Sequence, residues 1–258
     1  MDTYYNHLFV KLADDRVSSW PLMQDPTKIL LIISIYLYGV YVYLPKHMKG
    51  RKPYNLKNII QIYNVLQVIS CLYIVHGLGV HGWFGKYTVK CQTVDYSDDK
   101  SALKMLNYVY WTLILKIAEL LETCFFILRN KMNQVSKLHV YHHCSTLMFA
   151  WLTCKYMGGG MATFAIIINS TIHVIMYSYY FLAASGPRIQ KKISWVKPKI
   201  TMMQMVQFWV LLLHSVQALH PDCNMPKLLA YIFLPNLAIL FGFFLNFYFK
   251  SYTSKKLQ

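Results

Sequence analysis

Long apolar stretches alternate with short polar connections along the whole of this 258-residue chain. A helix needs ~20 mostly apolar residues to cross the hydrocarbon core of a bilayer. Seven stretches approach that length, at residues 28–45, 58–80, 106–128, 138–156, 161–183, 201–219 and 228–249. The connections leave no room for a separate soluble domain. The pattern therefore predicts an all-α integral membrane protein, with seven transmembrane helices in a single membrane domain of residues 1–258.

Polar side chains recur inside four of these predicted spans at intervals of three and four residues. Residues at such intervals share one face of a helix. The polar positions are Lys116, Glu119, Glu122 and Thr123, then His139, His142 and His143, then Asn169, His173 and Tyr177, and finally Thr201, Gln204 and Gln207. A single buried histidine or glutamate is more often structural than catalytic. Four sets at matching depth must contact one another or water, so we predict a polar chamber.

The segment His139-Val-Tyr-His142-His143 carries the strongest chemical signal in the chain. On a helix its three imidazoles fall within an arc of about 100°. Ionisable groups at membrane depth are costly and usually functional. Such a cluster could hold a metal, transfer protons or present a nucleophilic nitrogen. The spacing alone leaves these three alternatives open.

The net charge of +16 comes from the connections on one side of the predicted bundle. Four segments there hold 16 basic residues and no acidic one, whereas the rest of the chain holds ten of each. The positive-inside rule places these segments in the cytosol and the N-terminus on the lumenal side. This basic face could bind lipid headgroups or a soluble polyanion such as an acyl-CoA. Nothing in the chain resembles a nucleic-acid-binding module.

The four C-terminal residues contain a pattern that is typical of retrieval to the endoplasmic reticulum. Lys255 and Lys256 are fourth and third from the last residue, Gln258. On the cytosolic side such a pair is a dilysine retrieval signal, and a basic tail that anchors to the membrane is the alternative. We therefore predict a multi-pass protein of the endoplasmic reticulum membrane, with a lumenal N-terminus and a cytosolic C-terminus.

Two of the six cysteines, Cys91 and Cys223, lie in connections that the predicted topology places together on the lumenal side. An oxidising lumen allows such cysteines to form a disulfide. Two free thiols are the alternative. The remaining four lie within or at the ends of spans, where cysteine packs as a small apolar group.

Several blocks of residues, taken in order, resemble the ELO family of very-long-chain fatty acid elongases, the 3-ketoacyl-CoA synthases of the endoplasmic reticulum. The blocks are Asp15-Arg16, Trp20-Pro21-Leu22-Met23, Arg51-Lys52-Pro53-Tyr54, Tyr63-Asn64, Lys116-x-x-Glu119-x-x-Glu122-Thr123-x-Phe125-Phe126, Leu138-His139-Val140-Tyr141-His142-His143, Asn169-x-x-x-His173-x-x-Met176-Tyr177, Gly186-Pro187 and Thr201-x-x-Gln204-x-x-Gln207-Phe208. The resemblance covers nearly the whole chain. Glu122 departs from it, because the family usually has aspartate there.

The resemblance implies a fold and a reaction. Spans 2–7 would form an inverted pair of three-helix units around a closed tunnel, with span 1 outside. The reaction would condense a long-chain acyl-CoA with malonyl-CoA, releasing CO2 and CoA and lengthening the chain by two carbons. No bound cofactor or metal is expected, because decarboxylation itself generates the carbanion. Membrane lipid and the ketoreductase, dehydratase and enoyl reductase of the elongation cycle would be partners, and homo- or hetero-oligomers stay open.

Within that reaction we assign His142 as the acyl acceptor. Attack by a neutral imidazole nitrogen on the thioester gives an acyl-imidazole and divides the reaction into two steps. Cysteine is a poorer candidate, because Cys144 lies about 200° around the helix from His142 and Cys124 lies one residue off the polar stripe. His173 would face His142 and stabilise the enolate formed by decarboxylation.

The other polar residues receive supporting roles. His139 and His143 would tune and position the acyl acceptor, and Glu119 or Glu122 would fix a histidine tautomer. Further support would come from Asn169 and Tyr177. The expected contacts to the phosphates of CoA are Lys116, Arg129, Lys131, Arg188, Lys192, Lys199, Thr201, Gln204 and Gln207.

Two other classes of protein share parts of this pattern. A membrane di-iron desaturase or hydroxylase also uses His-x-x-His-His, but it carries several histidine boxes, and this chain has one box and the isolated His173. A seven-span receptor shares the number of spans and their orientation. It has no need of ionisable groups in the cytosolic half of the membrane interior.

Overall fold

The computed structural model describes residues 2–253, which form helices and no strand. Its long helices are α1 (Thr27–Tyr38), α2 (Lys57–Leu78), α3 (Lys100–Glu119), α4 (Leu121–Leu128), α5 (Lys137–Tyr156), α6 (Ala162–Ala184), α7 (Val196–Val216) and α8 (Lys227–Tyr248). Shorter helices span Asp2–Asn6, Leu44–Met48 and Pro187–Lys192. The predicted dilysine pair, Lys255 and Lys256, lies outside the described residues.

Five helical segments are long and apolar enough to cross a membrane by length and composition. They are Thr27–Met48, Lys57–Trp83, Ala162–Ala184, Val196–Leu219 and Lys227–Tyr252, in which π-helical or 3-10 turns extend four of the α-helices. The protein is therefore an all-helical, multi-pass membrane protein, as predicted.

The predicted spans 106–128 and 138–156 are helical but are not among these five. The first is divided at Leu120 between α3 and α4, and α3 carries Lys104, Lys116 and Glu119. The second coincides with α5, whose histidines and lysines lower its mean hydropathy. Polarity thus separates these two helices from the others, and the count of seven spans is not established by length and composition.

The chain divides into two compact units. Unit 1 is drawn from Met1–Leu56 and Val94–Ala162, and unit 2 from Lys57–Thr93 and Thr163–Gln258. Unit 1 therefore contains α1, α3, α4 and α5, and unit 2 contains α2, α6, α7 and α8. In this grouping α2 belongs with the later helices, and the predicted inverted pair of three-helix units around a tunnel stays a prediction.

In unit 1, the segment before α1 is fixed to the C-terminal end of α5. The indole N–H of Trp151 donates to the carbonyl of Leu22 at 2.8 Å, and the buried ammonium of Lys155 donates to the carbonyl of Met23 at 2.6 Å. Leu22 has a φ of 68°, a left-handed conformation that is uncommon outside glycine. These two bonds stabilise the turn, and the turn sets where α1 begins.

A second polar contact holds the same segment of unit 1. The Arg16 guanidinium donates to the Asp14 carboxylate at 2.9 and 2.7 Å, and to the carbonyls of Asp95 and Ser97 at 3.1 and 2.7 Å. The hydrogen bonds to Asp14 raise the pKa of Arg16, so the guanidinium stays protonated. Bidentate bonds of this kind fix geometry as well as charge.

In unit 2, a disulfide joins Cys91 to Cys223, whose Cα atoms are 5.8 Å apart. It connects the segment after α2 to the segment before α8. The amide of Gln217 donates to the carbonyl of Val89 at 2.9 Å and supports the same connection. At the other end of α2, the Gln61 amide donates to the Ser185 hydroxyl at 3.2 Å, so both ends of α2 are attached to unit 2.

Candidate active site

The three histidines of α5 lie together near the start of that helix, in unit 1. The Ser136 hydroxyl caps the helix by accepting from the backbone N–H of His139 at 3.1 Å, a common way to satisfy a free amide of the first turn. The rings of His139 and His143 are 4.3 Å apart, and those of His142 and His143 are 5.7 Å apart, each pair edge to face. The helix therefore brings all three imidazoles onto one face, as the spacing predicts.

The carboxylates of α3 and α4 take different partners. Glu119 is fully buried and accepts two hydrogen bonds from the ammonium of Lys116, at 2.9 and 3.0 Å. Glu122 lies beside the histidines, with its Oε2 atom 3.6 Å from Nε2 of His143. Glu122, one of the two carboxylates predicted to orient a histidine, therefore lies next to an imidazole.

The Lys116–Glu119 pair yields a stability prediction. Replacing Lys116 with methionine should lower the free energy of unfolding by about 3 kcal/mol, because a buried carboxylate would lose its cationic partner. The side chains are 8% and 1% exposed, so water cannot replace the lost ammonium. Chemical unfolding of the purified protein in detergent measures the difference.

Two further variants control that experiment. Lys104→Met, on an exposed position of the same helix, should leave the stability nearly unchanged. Combining Lys116→Met with Glu119→Leu should recover most of the loss, because both charges are then removed together. A Lys116→Met protein as stable as the wild type would contradict the view that this pair is a charged, buried ion pair.

Two hydroxyl groups complete the surroundings of His139. The Thr123 hydroxyl lies 2.9 Å from Nε2 of His139, and the Tyr36 hydroxyl lies 2.8 Å from that of Thr123. Thr123 belongs to the polar stripe that the sequence predicts, whereas Tyr36 is not among the predicted site residues. Tyr36 belongs to α1, where Tyr38, Tyr41 and Tyr43 follow closely and no pattern separates an inward from an outward tyrosine.

Unit 2 contains its own polar cluster, built around His173 on α6. The side-chain amide of Asn169 lies 3.3 Å from Nε2 of His173, one helical turn away. The ring of Tyr177 contacts His173 at 5.5 Å and Tyr63 of α2 at 6.0 Å, both edge to face. His173, Asn169 and Tyr177 therefore do form one group, as predicted. That His173 faces His142 concerns two separate units and stays a prediction.

The predicted CoA contacts occupy different environments. Thr201 and Gln207 are buried in unit 2, where the Thr201 hydroxyl is 3.4 Å from that of Tyr252. Gln204 donates to the sulfur of Met176 at 3.5 Å. The exposed basic residues in this set are Lys131 in unit 1 and Arg188, Lys192 and Lys199 in unit 2, while Arg129 is partly buried in unit 1. Lys116 differs from all of these, because its ammonium is bonded inside unit 1 to Glu119.

Three side chains of unit 1 could also act as metal ligands. Glu122, His139 and His143 each offer one ligand atom, and these atoms lie within 4.8 Å of one another. Protein zinc sites ordinarily use three or four such ligands. Nε2 of His139 is already 2.9 Å from the Thr123 hydroxyl, which competes for that nitrogen. The arrangement therefore suits acid–base or nucleophilic chemistry, and a metal is an alternative that experiment must test.

These features define a multi-pass membrane protein with a buried, histidine-rich polar site. The family model described as ELO: GNS1/SUR4 family matches residues 21–258. The chain therefore belongs to the ELO family, which confirms the resemblance noted in the sequence.

Individual relatives agree with the family match. Very long chain fatty acid elongase 4 of Mus musculus is 42% identical over 245 residues, which cover 95% of this chain and 78% of the relative. Very long chain fatty acid elongase 1 of Mus musculus is 38% identical over 253 residues, covering 97% and 90%. Very long chain fatty acid elongase 7 of Drosophila melanogaster is 36% identical over 244 residues, covering 94% and 74%.

Proposed function

We propose that this protein catalyses the condensing step of fatty acid elongation. A long-chain acyl-CoA and malonyl-CoA would give a 3-ketoacyl-CoA two carbons longer, together with CO2 and CoA. Membership of the ELO family over residues 21–258, with relatives named very long chain fatty acid elongases, carries this proposal. The protein is then an acyltransferase of lipid biosynthesis whose substrates are long-chain acyl-CoA and malonyl-CoA.

The first half of the reaction uses the histidines of α5. A ring nitrogen of His142 attacks the thioester carbonyl, the carbon–sulfur bond breaks, and CoA leaves as its thiol, so the acyl group is held on the imidazole. The edge-to-face contact between His142 and His143, and the Glu122 carboxylate beside His143, support this assignment. Malonyl-CoA then loses CO2, and its carbanion attacks the acyl-imidazole. The carbon–nitrogen bond breaks, and the ring takes up one proton from solvent to become neutral imidazole again.

The second half needs groups that hold malonyl-CoA and its enolate. His173, with Asn169 and Tyr177 packed on it, is the group of unit 2 that we assign to this role. Polar and basic residues at the cytosolic ends of the helices, Thr201 and Gln204 among them, would bind the CoA phosphates. Charge attraction between such residues and phosphate is strong and long-ranged.

The membrane arrangement proposed for this reaction has seven spans. Helices α3 and α4 together, and α5, would each cross the bilayer and turn their polar faces away from lipid, which is the usual position of ionisable groups in membranes. The basic connections would lie in the cytosol and the N-terminus in the lumen of the endoplasmic reticulum. The ketoreductase, dehydratase and enoyl reductase of the cycle are the expected enzyme partners.

Purified protein supplied with malonyl-CoA labelled at C2 and a panel of acyl-CoAs tests the proposed function. The expected product is a labelled 3-ketoacyl-CoA, formed with one CO2 per product. Chain-length preference emerges from the same panel. A protein that instead desaturates or hydroxylates acyl-CoA, or that converts none of the panel, would contradict the proposal.

Removal of metal separates the elongase from its nearest enzymatic rival. We expect elemental analysis of active protein to find no stoichiometric iron or zinc, and strong chelators to leave condensation unchanged. Decarboxylation supplies the carbanion, so the proposed steps need no Lewis acid. The cluster of Glu122, His139 and His143 is the place where a metal would bind. Chelator inhibition that one specific metal reverses would overturn this prediction.

A further inference from the structure

A chain of three hydrogen-bonding side chains connects the first long helix of unit 1 to the histidine cluster. The Tyr36 hydroxyl on α1 lies 2.8 Å from the Thr123 hydroxyl on α4, and the latter lies 2.9 Å from Nε2 of His139 on α5. Tyr36 is 6% exposed and Thr123 is fully buried. Water therefore has little access to this chain of hydrogen bonds.

The number of protons on these side chains determines which atom donates in each hydrogen bond. A buried hydroxyl that cannot donate its proton costs free energy, and Thr123 is the only hydrogen-bond partner of the Tyr36 hydroxyl among residues 2–253. Tyr36 therefore donates to Thr123. Each hydroxyl has one proton, so Thr123 donates its own to Nε2 of His139. That nitrogen must then be an acceptor, and the proton of neutral His139 lies on Nδ1.

The tautomer of His139 matters because its ring packs on the next histidine of the site. The rings of His139 and His143 are 4.3 Å apart at an interplanar angle of 68°, and His143 in turn contacts His142. A different tautomer changes which edge of His139 is polar. It would therefore change the field that His143 and His142 experience.

We propose that Tyr36 is a positioning residue of this active site. Through Thr123 it fixes His139 as the Nδ1-protonated tautomer with Nε2 as acceptor, and so holds the histidine cluster in its reactive arrangement. The effect on rate rests on the proposed condensing activity, whereas the tautomer is independent of it. Tyr36 does not itself touch the reacting atoms. The first helix thus takes part in catalysis, although the family resemblance places its span outside the tunnel.

The test compares four variants of the full-length protein. Tyr36→Phe removes the hydroxyl of Tyr36, Thr123→Val removes the hydroxyl that connects Tyr36 to His139, and Thr123→Ser keeps that connecting hydroxyl. Tyr38→Phe is the matched control, because it makes the same change at an exposed position two residues along the same helix. Each protein, labelled with 15N-histidine in lipid bilayers, gives ring-nitrogen signals by solid-state NMR. His139 is assigned from the spectrum of His139→Asn.

The expected result is a change of tautomer and of kcat together. Wild type, Thr123→Ser and Tyr38→Phe should show His139 with a proton on Nδ1 alone. Thr123→Val should show protonation at Nε2 as well. The same is expected for Tyr36→Phe, because the Thr123 oxygen then lacks a donor, and its hydroxyl can turn to a carbonyl of its own helix while the oxygen accepts from Nε2–H. In the last two, kcat should fall about tenfold with KM nearly unchanged, the size expected for one buried hydrogen bond.

Each other outcome has a definite meaning. A wild-type tautomer in Tyr36→Phe overturns the proposal, even if that variant is less stable, because Tyr36 would then serve packing alone. A changed tautomer with wild-type kcat overturns the catalytic part. If the wild-type protein does not condense acyl-CoA with malonyl-CoA, the proposed function fails, yet the NMR comparison still decides whether Tyr36 sets the tautomer. Should Tyr36→Phe fail to fold, Thr123→Val against Thr123→Ser makes the same comparison.

Discussion

Replacing His142 with alanine should abolish the covalent acyl adduct and lower the rate of condensation by roughly a thousandfold or more, as expected when a nucleophile is removed. Incubating wild-type protein with acyl-CoA alone should release CoA and leave one acyl group on the protein. Peptide mass spectrometry should find that group on His142. The physical reason is that α5 presents His142 beside His143, which has the Glu122 carboxylate next to it.

Controls separate nitrogen from sulfur as the nucleophile. Cys124→Ser and Cys144→Ser should retain activity, since both cysteines are free thiols outside the histidine face. His220→Ala, at a histidine whose side chain is 67% exposed, should also behave like the wild type. An adduct that persists in His142→Ala but disappears in a well-folded cysteine variant would show that a cysteine sulfur carries the acyl group. An adduct on His173 would reverse the roles of the two histidine sites.

The histidine cluster could be predicted from sequence because a helix imposes its geometry directly. Positions i, i+3 and i+4 must share a face, so the contacts of His139, His142 and His143 follow once α5 is helical. The same holds for Asn169, His173 and Tyr177 on α6. For such groups the periodicity of the α-helix determines which side chains meet, and the packing between helices need not be known.

Contacts between helices could not be predicted in this way. Tyr36 and Thr123 are 87 residues apart, and nothing in either helix indicates that they meet. Lys116 illustrates a related difficulty. The resemblance implies that Lys116 contacts CoA, and in the structure its ammonium donates to Glu119 at i+3. The spacing does not separate these two roles, and the role in CoA binding stays a prediction.

The membrane spans show the same limit at a larger scale. Five spans follow from length and hydropathy alone. The two most polar of the predicted spans, 106–128 and 138–156, carry the histidine cluster and its carboxylates, and these polar groups also make them poor candidates by composition. Lys155 is an example, because its buried ammonium is satisfied by the carbonyls of Met23 and Gln24 in a segment far along the chain. A hydropathy value includes this charge but takes no account of the carbonyl groups that bind it.

Removing the disulfide between Cys91 and Cys223 should have the largest effect on stability. The two residues are 132 positions apart, and in the loop-entropy treatment a cross-link of that span restricts the unfolded chain by about 4–5 kcal/mol. Confinement of the unfolded chain by the membrane makes this an upper value. In Cys91→Ser/Cys223→Ser we therefore expect an apparent Tm lower by roughly 10 °C, measured in detergent on the otherwise unchanged protein.

Reductant gives the matched control for that measurement. Wild-type protein should lose stability when reductant is added, whereas the double variant should be insensitive to it, because the four other cysteines are not disulfide-bonded. Peptide mapping without reduction should recover the two cysteine peptides as one linked species. Quantitative alkylation of Cys91 and Cys223 without reductant would contradict the prediction. It would also remove the support for a lumenal position of their two segments, because an oxidising compartment is the condition under which such a bond forms and persists.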